Sequence, residues 1–298
     1  MIHDVIVIGG SYAGMAASLQ LLRARRSVLI IDAGRRRNRF ASHAHGFLGQ
    51  DGIDPAVIAS TARHQLEVYP TLAWLQSEAT GIAGEHDAFV VTSADGQDHS
   101  GRRILFATGV TDQLPQIAGL AERWGQSIFH CPYCHGYELD QGRIGVIATS
   151  AMSTHQAELL SEWGKVTLLT NGALTLEPAT REGLERKDIT VEDTAIRAIS
   201  GNADVQLTDD RHQSFAGLFI ATTITPSSNL PADIGCEIAE NPMGRIIAVD
   251  ASKQTSVPGV FACGDTAFVP GAISFAVGDG ALAGIQLHRS LVWPETMS

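Results

Sequence analysis

The first residues of the chain combine two apolar runs with a helical pattern between them. Val5-Ile6-Val7-Ile8 is a continuous apolar run that glycines follow, which is typical of a buried parallel strand. Residues 15–25 (MAASLQLLRAR) carry apolar positions at helical spacing, and Val28-Leu29-Ile30-Ile31 is a second apolar run that ends in Asp32. The pattern predicts a strand, a helix and a second parallel strand.

A glycine-rich turn joins the first strand to the helix. It consists of Gly9, Gly10, Ser11, Tyr12, Ala13 and Gly14, and the acid Asp32 ends the second strand. Such a turn lets a pyrophosphate approach the helix N-terminus, and an acid at the second strand accepts hydrogen bonds from ribose hydroxyls. Ser11 replaces the middle glycine of the G-x-G-x-x-G pattern, which weakens the signal without removing it. The alternative is a glycine turn that holds no ligand.

The same plan recurs 139 residues later, from Gly9 to Ala148. Residues 143–171 predict a strand over 144–147, a helix over 154–163 and a strand over 166–170. The nucleotide chemistry is altered, however, because Ala148, Ser150 and Ser153 stand where Gly9, Ser11 and Gly14 stand in the first unit, and Asn171 stands in place of Asp32. No Arg or Lys follows the second strand before Arg181, although a 2′-phosphate needs a cation near that strand end. A second Rossmann-like domain is therefore expected, with a degraded NADPH motif.

Further elements complete an α/β architecture of two three-layer Rossmann-like domains, the second inserted into the first. We expect strands over 86–92, 102–107, 219–222 and 260–263, a crossing between domains near 119–124, a return at 244–249 and a terminal helix over 272–289. The predicted domains are 1–115 with 245–298, a discontinuous dinucleotide-binding domain, and 116–244, the inserted domain.

Composition and charge narrow the function classes. The chain has 298 residues, 44% hydrophobic and 18% charged, with a formal net charge of -11, so nucleic acid is not an expected partner. It contains no apolar run long enough for a membrane span and no secretory leader pattern at its start, so we expect a cytoplasmic protein with no membrane partner. Four cysteines do not form a disulfide framework.

Two of the cysteines form a C-x-x-C pair, Cys131 and Cys134, which His135 follows. This spacing closes a redox disulfide readily, and a helix start with a neighbouring imidazolium would stabilise a thiolate. His135 could exchange the thiol proton near neutral pH. Half of a zinc site is the alternative, but Cys236 and Cys263 supply no second pair; they are expected to be buried, and no metal is expected.

Four motifs together resemble the thioredoxin reductase family. They are GGSYAG from residue 9, ATG at 107–109, CPYCHGYE at 131–138 and CGD at 263–265, in the family's order and over nearly the whole chain. The resemblance implies an FAD-binding first domain, an NADPH-type second domain that carries the redox cysteines, and a homodimer. It also implies that Cys134 faces the flavin and that Cys131 meets a small-molecule dithiol or disulfide, or a protein disulfide.

Departures from the family pattern point to a branch of it. His135 replaces the usual Asp, the nucleotide glycines and arginines of the second domain are missing, and Gly271-Ala272 replaces an Arg-Gln pair. The C-x-x-C-H-G-Y-E version resembles flavin dithiol oxidases of the gliotoxin and holomycin type, which pass electrons from a dithiol to FAD and then to O2. Two alternatives are an NADPH-dependent thioredoxin (disulfide) reductase, and a redox sensor or electron-transfer flavoprotein with an altered second ligand site.

The resemblance also extends the expected FAD site beyond the glycine turn and Asp32. The residues it adds or favours are Ala33, Arg39, His45, Ala107, Thr108, Gly109, Gly264, Asp265, Ala272 and Ile273. The arginine cluster 35–39 could instead be a solvated face. His43 and His45 lie where the family's chain passes the flavin, while His130 and His155 are weaker candidates. Catalysis is expected at Cys131, Cys134 and His135.

Overall fold

The computed structural model describes residues 1–294. Contacts within the chain divide it into two compact units. The first comprises Met1–Arg39, Phe47–Thr111 and the chain from Ile224 onward, and the second comprises Phe40–Gly46 and Asp112–Thr223. The predicted boundaries at 115/116 and 244/245 lie later along the chain than these. The assignment of FAD and NADPH-type roles to the two domains stays a prediction.

The first unit begins with the predicted β-α-β arrangement. Its elements are β1 (Ile2–Ile8), α1 (Tyr12–Arg23), β2 (Val28–Asp32), α2 (Pro55–Glu67), β3 (Leu72–Gln76), β4 (Ala79–Glu85), β5 (Ala88–Ser93), β6 (Asp98–Phe106) and β7 (Val110–Gln113). The strand predicted from His86 begins at Ala88, because Asp87 has a φ of 66° and turns the chain between β4 and β5. Strand β6 begins at Asp98, four residues before the predicted start at 102.

The second unit repeats the arrangement. Its elements are β8 (Ile128–Phe129), α3 (Pro132–His135), β9 (Arg143–Ile147), α4 (Met152–Leu160), β10 (Lys165–Leu169), α5 (Pro178–Glu185), β11 (Thr190–Glu192), β12 (Ile196–Ser200), β13 (Asp204–Leu207), β14 (His212–Ser214) and β15 (Gly217–Ile220). Helix α4 starts and ends earlier than the predicted 154–163. The predicted crossing near 119–124 lies inside the second unit, where Ala121–Arg123 forms one 3₁₀ turn.

The chain then returns to the first unit. The returning elements are β16 (Thr223–Pro226), α6 (Leu230–Asp233), β17 (Ile238–Asn241), β18 (Gly244–Ile247), β19 (Val260–Ala262) and α7 (Ile273–Val292). Helix α7 extends to Val292 rather than stopping at 289. None of the helices within residues 1–294 combines the length and the apolar character needed to cross a membrane.

Each unit is built on a parallel sheet, as predicted. In the first unit the strand order is β3-β2-β1-β6-β5-β4, with β19 also paired to β6; β4 and β5 join antiparallel. In the second unit the order is β11-β10-β9-β15-β8, all parallel, beside an antiparallel β12-β13-β14 sheet. In both units, the turn after the central strand therefore opens at the carboxyl edge of the sheet, where ligands of this fold bind.

Helices α1 and α7 pack at unusually short range in the first unit. A Cβ added to Gly280 would collide with the backbone oxygen of Ala13, and one added to Gly284 would collide with that of Ala17. Only glycine lets the two backbones approach this closely. The contact fixes the start of α1, which carries the glycine turn, against the helix that follows the Gly264-Asp265 turn.

We expect Gly280→Ala to destabilise the protein by about 2 kcal/mol, because the added methyl overpacks a backbone contact. Gly278→Ala on the same helix is the matched control, since its Cβ would meet no atom within 4 Å. That control should leave stability unchanged or raise it by up to about 1 kcal/mol. Denaturant unfolding at constant m-value measures both changes. Equal stabilities of the two variants would contradict the proposed role of the helix contact.

Candidate active site

The glycine turn of the first unit forms a cradle at the start of α1. Gly9 has a φ of 106°, and a Cβ there would collide with the carbonyl of Ala107; a Cβ on Gly14 would collide with the carbonyl of Gly9. Ser11, the N-cap residue, makes no side-chain cap hydrogen bond. The first N–H groups of α1 are thus not capped by this side chain, which suits an anion at a helix N-terminus.

Polar groups border this cradle on the side of β2. The Gly10 N–H donates to Asp32 Oδ1 at 3.0 Å, so the acid lies beside the turn as predicted. A Cβ on Gly10 would lie 2.6 Å from the Trp74 ring, and the Trp74 Nε1 atom is buried without a hydrogen-bond partner. The buried Asn38 Oδ1 also lacks a partner, while its amide donates to the Tyr12 hydroxyl. Orphaned polar atoms beside a glycine cradle fit a polar cofactor such as FAD.

A second turn, after β19, meets the first. Gly264 has a φ of 71°, and its Cβ would lie 2.7 Å from that of Ala13, so the two turns approach each other. The Gly264 N–H donates to Asp279 Oδ2 at 2.9 Å, and Asp279 pairs through its other oxygen with the buried Lys253. This ion pair fixes the backbone immediately before Asp265.

Arg37 contributes a guanidinium to the second turn. Its Nη1 lies 2.9 Å from Asp265 Oδ2, and a Cβ on Gly271 would lie 2.7 Å from both of these atoms. The arginine cluster is therefore partly a site element, and Gly271 leaves the space that the ion pair occupies. Arg39, the arginine chosen from the sequence, is exposed, and its Nη1 donates to the Arg36 carbonyl.

The redox pair lies at the short helix α3 of the second unit. Cys131 is the N-cap residue of α3, and Cys131 and Cys134 are joined by a disulfide. Gly136 closes the turn tightly, because a Cβ there would meet the Pro132 carbonyl and the Trp163 ring. The free cysteines Cys236 and Cys263 are buried as expected, and burial raises the pKa of both thiols. Neither behaves as a reactive thiol.

His135 stacks on Phe129, with ring centroids 4.1 Å apart. Burial, and secondarily the charge of His45, lowers the pKa of His135 to about 4. The imidazole is therefore neutral at pH 7 and can accept a proton. The expected imidazolium, which would stabilise a thiolate by its charge, is not the form present at neutral pH, because burial opposes it.

A cavity of about 230 Å³ adjoins His135 in the second unit. His43, His45 and Glu138 also line it, and His45 Nδ1 lies 3.5 Å from Glu138 Oε1. His45, which the resemblance places at the flavin, lies in the segment Phe40–Gly46 of the second unit and lines the same cavity as His135. Its contact with FAD stays a prediction.

The corresponding turn of the second unit is closed by its own side chains. The Thr149 N–H donates to Ser153 Oγ at 3.0 Å, and the Met152 N–H donates to Ser150 Oγ at 3.3 Å. Asn171 accepts from the Ile196 N–H at 2.7 Å. Arg181, the first basic residue after β10, pairs with Asp193 at 2.8 Å. The Thr149 and Met152 N–H groups, the Asn171 side-chain oxygen and the Arg181 guanidinium thus each have a partner within the protein.

Comparison with known proteins decides the family. A model of the family "Pyridine nucleotide-disulphide oxidoreductase" matches residues 3–280. The chain belongs to this family. It is 32% identical over 307 residues to "Thioredoxin reductase tcpT" of Claviceps purpurea, covering 98% of this chain and 95% of that protein. The resemblance to thioredoxin reductases and the prediction of an oxidoreductase acting on sulfur groups are thereby confirmed.

Solved structures of the same fold cover nearly the whole chain. The crystal structure of an oxidoreductase from Agrobacterium tumefaciens is 50% identical, with a TM-score of 0.97, and covers 99% of this chain and 100% of that chain. HlmI is 34% identical, with a TM-score of 0.90, and covers 99% of this chain and 94% of that chain. The α/β fold with two Rossmann-like domains is confirmed. Pyridine nucleotide-disulphide oxidoreductases of this type generally bind FAD.

The structure groups most of the candidate FAD residues in the first unit. Those there are Gly9, Gly10, Ser11, Tyr12, Ala13, Gly14, Asp32, Ala33, Arg39, Ala107, Thr108, Gly109, Gly264, Asp265, Ala272 and Ile273. Ala272 is the N-cap of α7, which begins at Ile273, one residue after the predicted start at 272. Elsewhere His130 contacts Trp124, and His155 is exposed. Sequence reasoning missed Trp74, Asp279, Lys253 and Glu138. Of these, only Glu138 stood in a recognised motif, whereas tertiary packing alone brings Trp74 to the glycine turn.

We expect the His135 ring to titrate near pH 4, because its burial against Phe129 disfavours the charged form. Histidine ring NMR as a function of pH measures the midpoint, and loss of one signal in His135→Gln assigns it. Phe129→Leu should raise the midpoint by exposing the ring. A wild-type midpoint between about 6 and 7, the ordinary range for histidine, would contradict this account.

Proposed function

We propose that this oxidoreductase is an FAD-dependent dithiol oxidase that converts a small-molecule dithiol into its disulfide and passes the electrons to O2. The observation that carries the proposal is the contrast between the two turns: the first forms a glycine cradle beside orphaned polar atoms, and hydroxyl groups within the protein close the second. A dithiol oxidase needs a flavin but no nicotinamide.

The chemistry at the cysteines follows thiol–disulfide exchange. A substrate thiol loses its proton to His135 and attacks Cys131; the Cys131–Cys134 bond breaks, and Cys134 leaves as a thiolate. The second substrate thiol then attacks the substrate sulfur that is bonded to Cys131 in the mixed disulfide. This releases the substrate disulfide and the Cys131 thiolate. Two electrons now lie on the cysteine pair, and two protons have left the substrate. With O2 as the final acceptor, the balanced products are one disulfide and one H2O2.

The first unit would hold the FAD. The Gly9–Gly14 turn would bind the pyrophosphate, Asp32 the ribose, and Asp265, fixed by Arg37, the chain between the pyrophosphate and the ring. When bound, FAD supplies a two-electron acceptor for the cysteine pair and an outlet to O2. The N-terminus of α7 at Ala272 and Ile273 would face negative charge. The second unit differs, because its turn N–H groups at Thr149 and Met152 bond to Ser153 and Ser150, and Asn171, after β10, accepts from the Ile196 N–H; this supports a reaction without NADPH.

Exposed aromatic side chains next to the redox pair suit a small organic dithiol. Tyr133, between the two cysteines, and Tyr137, three residues after Cys134, are 72% and 84% exposed. The Trp163 ring supports Tyr133 edge-on at 5.3 Å. Aromatic faces next to Cys131 can pack against an apolar ring of a substrate. On this ground we propose a ring-bearing metabolite as the dithiol.

An NADPH-dependent thioredoxin reductase is the second candidate function. The name of the Claviceps purpurea relative, thioredoxin reductase tcpT, favours it. It requires nucleotide at the second turn, where Thr149 and Met152 N–H groups already have partners. A nucleotide could bind there only by displacing these hydrogen bonds. A redox sensor or electron-transfer flavoprotein, the third possibility, would require neither NADPH nor a small dithiol as its electron donor.

We expect anaerobic addition of a small dithiol to bleach the flavin of the purified protein, whereas NADPH and NADH should not. Admission of air should restore the colour and form about one H2O2 per dithiol. Cys134→Ser should abolish bleaching by the dithiol, because no second sulfur remains to close the redox cycle. Absorption spectroscopy and a peroxide assay measure these outcomes.

Cys236→Ser is the matched control for this experiment, because Cys236 is a buried free cysteine of the first unit and is not part of the redox pair, so bleaching should be unchanged. Rapid bleaching by NADPH would overturn the oxidase in favour of the reductase. Bleaching by none of the three donors would instead favour the sensor or electron-transfer function.

We also propose that the oxidase is a cytoplasmic homodimer whose copies meet along α7. One face of this helix exposes Phe275, Leu282, Ile285 and Val292, which follow one another at spacings of seven, three and seven residues. An exposed apolar stripe along one helix face supports self-association.

Ile285→Lys should therefore convert the dimer into a monomer, because a charge in the apolar stripe opposes burial. Val57→Lys, on the exposed face of α2, is the control and should leave the dimer intact. Sedimentation velocity measures both. A wild-type protein that sediments as a single chain would contradict the proposed dimer.

A further inference from the structure

The cavity of the second unit has a polar wall that the proposed chemistry has not yet used. It has a volume of about 230 Å³, enough for several waters, and four titratable side chains line it: His43, His45, His135 and Glu138. Ser42, Gln126 and Asn202 add further polar groups. A wall of this composition favours water and protons over an apolar ligand.

The cavity is lined by His135, the proposed base, but not by the two cysteines of the redox pair. Among the described residues that line it, His135 is present while Cys131 and Cys134 are absent. A substrate dithiol must touch Cys131, so this cavity is not where the substrate reacts. It opens on His135, the residue that takes the substrate proton in the proposed function.

His135 is poorly suited to keep that proton. Its ring is stacked on Phe129 at 4.1 Å, and burial together with the charge of His45 lowers its pKa to about 4. A proton taken from a thiol therefore needs a further acceptor before the next thiol can be deprotonated. Two protons must leave in each catalytic cycle, so the acceptor must return to its starting state each time.

A histidine and a carboxylate across the cavity form a pair that can serve as this acceptor. His45 Nδ1 lies 3.5 Å from Glu138 Oε1, and the His45 side chain is 21% exposed. Glu138 is 41% exposed, so the carboxylate connects the cavity to solvent. His43, whose ring centroid is 6.4 Å from that of His45, borders the pair and bonds to Ser42.

We propose that His45 and Glu138 form a proton exit, through which protons that His135 takes from the substrate thiols pass across the cavity to solvent. This inference rests on the proposed function for its proton source. Glu138 and His45 act through His135 and are positioning residues. For each substrate thiol, the S–H proton moves to His135, from there through cavity water to His45 and Glu138, and then to bulk water. The electrons stay on sulfur, so no other oxidant is required.

The test is reduction of the Cys131–Cys134 disulfide by dithiothreitol in the intact protein under anaerobic conditions, followed by acid-quenched thiol counting. Glu138→Gln should slow this reduction about tenfold at pH 7, below the ~100-fold contribution of a direct general base. The deficit should disappear as the pH approaches about 8.5–9, where the dithiol is already ionised and needs no base. Added imidazole or acetate should restore the rate of Glu138→Gln with increasing concentration and leave wild type unchanged.

Further variants keep the result interpretable. His45→Gln should show the same loss, and the double variant should be no slower than either single one, because the two residues act in series. Glu182→Gln, an exposed carboxylate on α5, is the matched control and should match wild type. Flavin content and unfolding midpoint identify variants that fail to fold, and Glu138→Asp then replaces Glu138→Gln, with partial loss expected.

A loss in Glu138→Gln that persists at high pH and resists buffer rescue would overturn the proton exit, as would wild-type rates in both single variants. Failure of the proposed function gives a different result. If small dithiols do not bleach the wild-type flavin, the oxidase proposal fails. The thiol count on Cys131 and Cys134, added to the amount of reduced flavin, still reports whether the exit speeds their reduction, because the sum counts every electron pair delivered whether or not it has passed on to the flavin.

Discussion

The close contact between α1 and α7 is the constraint on which the first unit depends. Because Gly280 and Gly284 let the two helix backbones touch at Ala13 and Ala17, the turn before α1 and the turn before α7 are brought to the same place. Gly264 then lies against Ala13, and the buried Lys253–Asp279 pair fixes the Gly264 amide. Without this approach, a glycine turn and a Gly-Asp turn would be two unrelated loops.

The second unit has the same strand-turn-helix arrangement as the first, but the side chains at its turn differ. Its strand, turn and helix match the first unit, but hydroxyl groups occupy positions where a dinucleotide needs open N–H groups. Ser153 both adds bulk and accepts a hydrogen bond from the Thr149 N–H through its Oγ, so this turn N–H already has a partner within the protein. This is how a duplicated nucleotide fold can keep its stability while changing its ligand chemistry.

The redox centre combines a buried base, His135, with a polar cavity beside it. Burial keeps His135 neutral at pH 7, which makes it available to accept a proton but unable to retain it. The polar cavity with His45 and Glu138 lies on the side where that proton can leave. In the proposed oxidase, burial of the base and the polar wall of the cavity would serve the same reaction.

The sequence alone determined what local pattern can encode: the two β-α-β units, the Gly9–Gly14 turn with its acid, the cysteine pair and the loss of nucleotide glycines at 148–153. Apolar periodicity and glycine positions carry this information, because each residue interacts mainly with its near neighbours in chain and strand. Boundaries were less accurate where a left-handed residue such as Asp87 shifted a turn.

Only the tertiary structure decided which distant side chains meet. Arg37 reaches Asp265, 228 residues away, although Arg39 seemed the better choice from the sequence. His45 faces Glu138 and His135 in the second unit, and burial rather than sequence neighbours sets the pKa of His135. These contacts depend on how whole helices, strands and loops pack together. A local sequence pattern does not record that packing, so it cannot predict which distant side chains come into contact.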